Sequence, residues 1–413
     1  MSSPDPTPSP STRPRFALFA TLAVQAVATL ALNVPAVVAP VIAPALGLAP
    51  QRVGSFVGLA YLAAMLSGLI LGARMAALGP MRVSTWALLG SACGLAIAGL
   101  GISSPQWLWV WPLAAVLVGA AYGIPNPAAS MVLAVHAPPA RRGLYFSIKQ
   151  TGVPIGVGLT GLVVPVLITA LPWPWAFGLL AAFCLLSGVL LRSSLSLDGA
   201  RSPASASVAP PGGRLAQTLG PLARVWADPV LRRLGVASLV YSMMQLCFVT
   251  FLVSYLKLEA GLSLGSAAAV LAASQALAVA GRVLWGQVAD RLIPPLRLLA
   301  LLGLGMACAI VALGSLPAQA SLWLATPAAM ACALTAMAWN GVYFAELAHR
   351  VPAPVLGAIT GATQFLTFCG AMIGPPLFAE LVDLGGRHGT AYLTIAALPA
   401  AVGLWLWRGA RTA

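Results

Sequence analysis

The chain has 413 residues, of which 60% are hydrophobic and only 7% are charged, and its formal net charge is +14. This composition excludes an ordinary water-soluble domain, in which about a quarter of the residues are charged. It also argues against nucleic-acid binding, because the basic residues stand in short loops between apolar runs and are not gathered on one face. The composition predicts an all-α polytopic membrane protein in a lipid bilayer.

Apolar runs of about 20 residues, each long enough to cross a bilayer as a helix, form two sets of six. The first set is predicted at Phe16–Val38, Val53–Met75, Met81–Ser103, Leu108–Val135, Leu144–Thr169 and Trp173–Leu191. The second set is predicted at Val230–Leu256, Leu264–Ala289, Leu296–Leu316, Leu322–Leu347, Val355–Leu381 and Thr390–Trp407. Residues 1–14, rich in Ser and Pro, are predicted to be a disordered tail, and residues 409–413 a short C-terminal tail.

Residues 192–229 separate the two sets and have the composition of a linker, with Pro210-Pro211-Gly212-Gly213 near the middle. We therefore expect two domains, residues 15–191 and 230–408, joined by a cytoplasmic linker. If both termini and the linker lie on one side, that side carries seventeen of the 22 Lys and Arg residues, and the other side carries Arg52, Lys257 and Arg387. By the positive-inside rule, both termini are expected in the cytoplasm, in a bacterial-type inner membrane.

The two halves are related in sequence by an ungapped shift of 214 residues. The shift superimposes identical residues: Gly72 on Gly286, Asn126 on Asn340, Pro138 on Pro352, Gly143 on Gly357, Gln150 on Gln364 and Gly156 on Gly370. Parallel repeats of six helices imply two pseudo-symmetric bundles, with a substrate site near the midplane where the bundles meet.

The end of the predicted eighth helix, Gly286–Arg291, reads Gly-Gln-Val-Ala-Asp-Arg. This spacing of Gly, Asp and Arg resembles the cytoplasmic signature of the major facilitator superfamily of secondary transporters, and the resemblance extends from Phe16 to Trp407. It implies twelve transmembrane helices in two six-helix bundles and transport by alternating access, with Gly286, Asp290 and Arg291 as a gating motif. The first-half counterpart has Ala76 in place of the acid, so one such latch is expected.

Two cations lie inside predicted spans, Lys149 in the fifth and Arg282 in the eighth. A Lys or Arg at mid-bilayer costs roughly 2.5–3.5 kcal/mol even on the lenient insertion scale, so each is a functional-site hypothesis. Two structural alternatives stay open at this point. Lys149 could extend to the cytoplasmic headgroups, and Arg282 could pair with a motif carboxylate such as Asp290.

The middle of each predicted span lacks an acidic residue, so neither cation has an evident partner. We therefore expect a small organic anion, a mono- or dicarboxylate, paired by Arg282 and Lys149. The resemblance adds that carboxylate carriers of the superfamily likewise place a cation in helix 8. Whether a proton or a second anion is co-transported or exchanged stays open. Other residues predicted at the substrate site are Gln150, Tyr122, Asn126, Tyr241, Gln245, Trp339, Asn340, Gln364 and Asn33, the last at a predicted bend before Pro35.

The sequence gives no sign of an enzyme. It has no phosphate-binding loop and no evident nucleophile with a base, and its histidines lack ligands at metal-binding spacing, so neither cofactor nor metal is expected. The protein is expected to be a monomer. A proton-driven drug exporter is the first alternative, weakened because helices 1–6 contain no acid that could bind a cationic drug. A non-transporting membrane receptor of the same fold is the second.

Overall fold

A computed structural model describes residues 13–72, 75–138, 142–198, 214–351 and 353–410. Every regular element in these ranges is a helix, and eleven helices are long and apolar enough to cross a membrane by length and composition. The remaining predicted span corresponds to Val53–Gly72, a helix of 20 residues without a charged side chain. The predicted all-α polytopic fold is confirmed.

The first half contains six spanning helices, α1 to α6. They are α1 Pro14–Ala45, α2 Val53–Gly72, α3 Pro80–Gly101, α4 in two pieces Trp111–Tyr122 and Pro125–His136, α5 in two pieces Arg142–Gln150 and Gly152–Ala170, and α6 Trp173–Leu190. Short helical segments Pro50–Arg52, Met75–Leu78, Pro105–Val110 and Leu191–Leu197 accompany them. Asp198 then accepts hydrogen bonds from the backbone N–H groups of Met81 and Arg82, which joins the end of this half to the start of α3.

The second half repeats this arrangement in α7 to α12. They are α7 Pro229–Leu258, α8 Leu264–Arg291, α9 Pro295–Gly314, α10 in two pieces Leu322–Ala336 and Asn340–Arg350, α11 Ala353–Gly385, and α12 in two pieces His388–Ile395 and Ala397–Gly409. A further helix, Arg214–Ala227, lies in the segment predicted as a linker. We call the face where α1 begins and α12 ends the terminal face, and the face where α2 and α8 begin the distal face.

The interruptions of α4 and α10 are related by the sequence repeat. α4 is interrupted at Gly123 and Ile124, before Pro125, whose missing N–H cannot continue the helical hydrogen bonds. The shift of 214 residues maps Gly123 onto Met337, where α10 is interrupted although neither Gly nor Pro stands there. The second interruption therefore has another cause, and a side chain from α8 supplies it, as described below.

Small residues allow α5 and α11 to pack closely within their own halves. A Cβ added at Gly156 would lie 2.4 Å from the carbonyl oxygen of Ala26 on α1, and one at Gly370 would lie 1.9 Å from that of Leu239 on α7. Such approaches are closer than a side chain tolerates, so only glycine permits these helix crossings. The matched pair Gly156 and Gly370 thus performs the same packing role in both halves.

Two equivalent glycine contacts also join the two halves. A Cβ at Gly54 on α2 would lie 2.3 Å from the carbonyl oxygen of Pro375 on α11, and a Cβ at Gly161 on α5 would lie 2.7 Å from that of Ala268 on α8. The shift of 214 residues converts Gly54 into Ala268 and Gly161 into Pro375. The contacts are therefore symmetry mates, and both lie between the midplane and the distal face.

Glu259, directly after α7, fixes the first turn of α12. Its carboxylate accepts hydrogen bonds from the backbone N–H groups of His388 and Gly389, and it lies 2.9 Å from Nδ1 of His388. Desolvation alone would raise the pKa of Glu259, but the hydrogen bonds from His388 and Gly389 outweigh it and hold that pKa below its ordinary value. Glu259 thus stabilises the start of α12 in its ionised form.

Replacing Glu259 by Gln is expected to reduce stability at neutral pH by about 1 kcal/mol, as for loss of a helix cap. Because the folded pKa is lowered, this contribution is present above the unfolded pKa of about 4.3 and is lost as the pH falls through the folded value. Melting temperatures of the purified protein between pH 7 and pH 3 measure it. Asp5, in the predicted N-terminal tail, offers a control, Asp5→Asn. A Glu259→Gln deficit that stays constant across this range would contradict the prediction.

Candidate functional site

A cavity of about 70 Å³ lies between the two halves. Eight of the predicted substrate-site residues contribute to its wall: Tyr122, Asn126, Gln150, Gln245, Arg282, Trp339, Asn340 and Gln364. Small-molecule sites usually measure about 300 Å³ or more, so we expect the two halves to separate further before an organic substrate can enter.

The repeat pairs face this cavity from opposite halves. Asn126 on α4 and Asn340 on α10 both contribute to the wall, as do Gln150 on α5 and Gln364 on α11. Amide side chains inside a helical bundle require hydrogen-bond partners, and here they surround a shared space at the junction of the halves. Two parallel repeats are expected to hold a substrate site where their halves meet, so this cavity is the candidate for it.

Three of the predicted residues lie outside the cavity wall. Tyr241 is fully buried behind it, donates a hydrogen bond of 2.9 Å to the carbonyl oxygen of Leu299, and contacts the ring of Trp339 edge-on. Asn33 donates to the carbonyl oxygen of Thr29, one turn earlier in α1, and α1 is not interrupted there. The bend at Asn33, before Pro35, and its contact with substrate therefore stay predictions.

Lys149 is the third, and it lies one layer behind the wall. Only 2% of the residue is exposed, and its Nζ donates to Oε1 of Gln25 at 2.8 Å and to Oδ1 of Asn126. The ammonium group therefore does not extend to the headgroups, and it does not face the cavity directly as predicted. It reaches the cavity through Asn126, whose amide contacts both the lysine and the open space.

Gln25 is a functional candidate that the sequence reasoning missed. It is fully buried in α1, where its Oε1 accepts from Lys149 and its Nε2 donates to Oγ1 of Thr29 at 3.3 Å. The available signal was an amide in the middle of an apolar run, which is the same signal that identified Asn126 and Gln150. The rotation of α1 about its own axis turns Gln25 toward α5, and the hydropathy of the sequence does not predict that rotation.

Arg282 binds two backbone carbonyl groups at interrupted helices. Its Nη1 donates to the carbonyl oxygen of Gln150 at 2.7 Å, where the first piece of α5 ends, and its Nε donates to that of Met337 at 3.1 Å, where α10 is interrupted. Carbonyl groups at helix ends lack intrahelical donors, and a guanidinium group supplies donors in a fixed fork. Arg282 therefore stabilises the interruption of α10 and links the second half to the first.

The electrostatics of the wall favour an anion. Arg282 is its cation, and none of the wall residues that the structure describes is a carboxylate. The ion pairs found in the described ranges involve other residues, among them Arg350 with Glu346 and Arg52 with Glu380. The donors of Arg282 that are not bound to Gln150 or Met337 are available to a carboxylate, which a guanidinium binds in bidentate geometry.

Aromatic rings form the apolar part of the wall. Tyr61 and Tyr122 meet edge-on with ring centroids 5.6 Å apart, and Tyr61 also approaches Phe368 at 6.3 Å. On the other side, Trp339 packs edge-on against Tyr343 at 5.5 Å. The Nε1 of Trp339 is buried and has no hydrogen-bond partner among the described residues. The cavity thus combines one cation with ring surfaces suited to an apolar body.

Ion pairs between the halves close the cavity toward the distal face. Arg52, just before α2, lies 3.3 Å from Glu380 and 3.0 Å from Asp383 on α11, and Gln51 also donates to Asp383. Most of these side chains are exposed, so each pair contributes only about 0–1 kcal/mol. Together with the glycine contact at Gly54, they join α2 to α11 near the distal face.

The predicted gating motif lies at the terminal-face end of α8. Gly286 and Arg291 are within the described part, where a Cβ at Gly286 would meet open space and Arg291 is exposed. The side chain of Asp290 lies outside the described residues, so its pairing stays a prediction. Among the described residues, the hydrogen bonds of Arg282 go to backbone carbonyl groups.

Comparison with known proteins agrees with this architecture. A family model described as Major Facilitator Superfamily matches residues 21–375. Proteins from two strains of Mycobacterium tuberculosis, each described as an uncharacterized MFS-type transporter, are 26% identical to this chain over 318 residues, which covers 76% of this chain and 67% of theirs.

Solved transporter structures share the fold. A bacterial homolog of the human lysosomal transporter Spinster, in an inward-facing and occupied conformation, superposes with a TM-score of 0.69 at 17% identity, over 97% of this chain and 96% of that one. The peptide transporter POT in complex with sulfate gives 0.72 at 18% identity, over 96% and 94%. At such identities the likeness concerns the fold alone.

Proposed function

This chain belongs to the Major Facilitator Superfamily, and we propose that it is a secondary transporter that moves a small organic anion by alternating access. The observation that carries the proposal is Arg282 in the wall of the cavity between the halves, in a wall whose described residues include no carboxylate. A bound anion would supply the charge that this cation lacks. Movement of one half against the other would then expose the site to either side.

Among organic anions, the wall favours a monocarboxylate with an apolar body. Arg282 is the cation in contact with the cavity, and Lys149 lies behind Asn126. The rings of Tyr122, Trp339 and Phe368 offer surface to the rest of the molecule. A dicarboxylate would need a second charged contact, which Lys149 could provide only after Asn126 moves.

The orientation is proposed from the distribution of charge. Seventeen basic residues on the side of the termini and three on the other side place the terminal face in the cytoplasm of a bacterial-type inner membrane. The pairs Arg52 with Glu380 and Asp383 then close the periplasmic side. In this arrangement the structure corresponds to a state closed to the outside.

A proton-driven exporter of cationic drugs is the second candidate, and the same wall argues against it. A lipophilic cation would require an acid or an uncompensated acceptor in the cavity, and the described wall presents Arg282 instead. The receptor alternative has no specific observation in its favour.

A thermal-shift screen tests the substrate class. Acetate, lactate and benzoate, the dicarboxylates oxalate and succinate, and the lipophilic cation tetraphenylphosphonium are each added to the purified protein at equal ionic strength. A ligand that binds only the folded state stabilises it by about 2.7 kcal/mol at 100-fold excess over its Kd. We expect benzoate to raise the melting temperature most. A shift with tetraphenylphosphonium and none with any anion would contradict the proposal.

A further inference from the structure

Lys149 is a buried basic group whose partners are both neutral. Its Nζ donates to Oε1 of Gln25 on α1 and to Oδ1 of Asn126 on α4. None of the carboxylates in the described ranges lies within salt-bridge distance of it. A neutral amine has two N–H donors and one lone pair, so these two amide oxygens satisfy all the donors of the uncharged form.

Among the described side chains around Lys149 there is one other charge, and it has the same sign. Arg282 on α8 binds the carbonyl oxygen of Gln150, the residue next to Lys149. The remaining titratable groups of the adjoining described wall are the phenols of Tyr61 on α2 and Tyr122 on α4. α1 presents the amide of Gln25, which is neutral. Burial of Lys149 away from water, together with the like charge of Arg282, favours the uncharged form of the lysine while the site is empty.

Arrival of an anion reverses this balance. A carboxylate bound to Arg282 places a negative charge in the cavity, and Asn126 joins that cavity to Nζ of Lys149. Attraction to the carboxylate then favours the ammonium form, and by linkage the proton favours the anion to the same extent. Binding of the anion and binding of the proton therefore become coupled.

We propose that Lys149 carries a proton that is co-transported with the anion, so that the protein is a proton–anion symporter. The inference rests on the proposed anion site at Arg282. One proton from the side of entry binds the lone pair of Nζ, and it leaves to the other side when the anion leaves. The net transfer is one monoanion and one proton, which is electrically neutral.

Proton uptake on anion binding tests the inference directly. Purified protein in weakly buffered detergent solution at pH 7.5, with a pH indicator dye, is titrated with benzoate or with another monocarboxylate that gave a larger thermal shift. We expect about one proton taken up per anion bound in the wild type. Lys149→Gln and Lys149→Arg are expected to bind the anion without proton uptake, because neither side chain changes protonation. Lys257, the other lysine of the chain, provides the control Lys257→Gln, which should behave as wild type.

The outcomes separate the two proposals. The coupling role would be overturned if the wild type bound the anion without proton uptake, or if both Lys149 variants took up protons as the wild type does. Either result would leave the anion site intact. Absence of binding by every carboxylate would overturn the anion site, and this inference with it. If Lys149→Gln is not recovered as folded protein, Lys149→Arg keeps the test, because it retains hydrogen-bond donors and carries a fixed charge that does not titrate.

Discussion

Replacement of Arg282 by Gln is expected to reduce uptake of the anion into proteoliposomes by about 100-fold or more. Truncating one member of a buried, hydrogen-bonded charge pair costs about 2–5 kcal/mol, which corresponds to this loss. The variant also leaves the carbonyl groups of Gln150 and Met337 with a weaker donor. Initial uptake rates of labelled benzoate, or of the best ligand from the thermal-shift screen, measure the effect at equal amounts of reconstituted protein.

Two companion variants make the Arg282 result specific. Arg282→Lys keeps the charge but loses the planar fork, so we expect partial uptake, between the Gln variant and the wild type. Arg297→Gln removes an exposed cation at the start of α9, away from the cavity, and should leave uptake unchanged. Wild-type uptake by Arg282→Gln would refute the assignment of Arg282 to the anion. Equal losses in Arg282→Gln and Arg297→Gln would point to a general effect of charge.

The fold was largely predictable because bilayer length and hydropathy constrain each span independently. The predicted fifth span, Leu144–Thr169, corresponds to α5 almost residue for residue, but its division at Thr151 was not foreseen. The interruption of α10 depends on the hydrogen bond from Arg282 to Met337, a contact between residues that are distant in sequence. The local sequence around Met337 therefore does not predict this contact.

The sequence predicts which residues lie near the cavity better than it predicts where their side chains point. Polar residues inside apolar runs are costly, so residues such as Gln150 and Asn340 stood out in the sequence. Consecutive residues of a helix point about 100° apart, which explains why Gln150 contacts the cavity while Lys149 points toward α1. Depth along a helix follows from counting residues, whereas direction around the axis depends on packing.

The repeat explains why the two halves share a fold. The polar and charged side chains at the cavity differ between the halves. Asn126 accepts a hydrogen bond from Lys149, whereas its symmetry mate Asn340 donates to Gln245 at 3.4 Å. Thr363 stands where symmetry would place a second lysine, and its hydroxyl donates to its own helix at Thr360. Lys149 thus has no charged counterpart in the second half, so the two halves of the site differ in charge.

The glycine contact that closes the distal face leads to the second large expected effect. Gly161→Leu would bring side-chain atoms against the backbone of Ala268 on α8, since a Cβ alone would lie 2.7 Å from its carbonyl oxygen. The contact joins the two halves and does not lie within either, so each half should still fold. Overpacking is expected to destabilise the state closed toward the distal face by about 1–3 kcal/mol. States in which this contact is open are not affected. We expect uptake to fall about tenfold or more, because the cycle requires the closed state.

Gly54→Leu should have the same effect, because its contact with Pro375 is the symmetry mate of the Gly161 contact. Gly178→Leu is the matched control, since a Cβ at Gly178 meets nothing within 4 Å. Opening is read from labelling of Gln245→Cys, in a cysteine-free background, by a membrane-impermeant maleimide added at the distal face. We expect faster labelling with Gly54→Leu or Gly161→Leu than with Gly178→Leu. Wild-type labelling and uptake in well-folded Gly161→Leu would show that the distal closure does not depend on this contact.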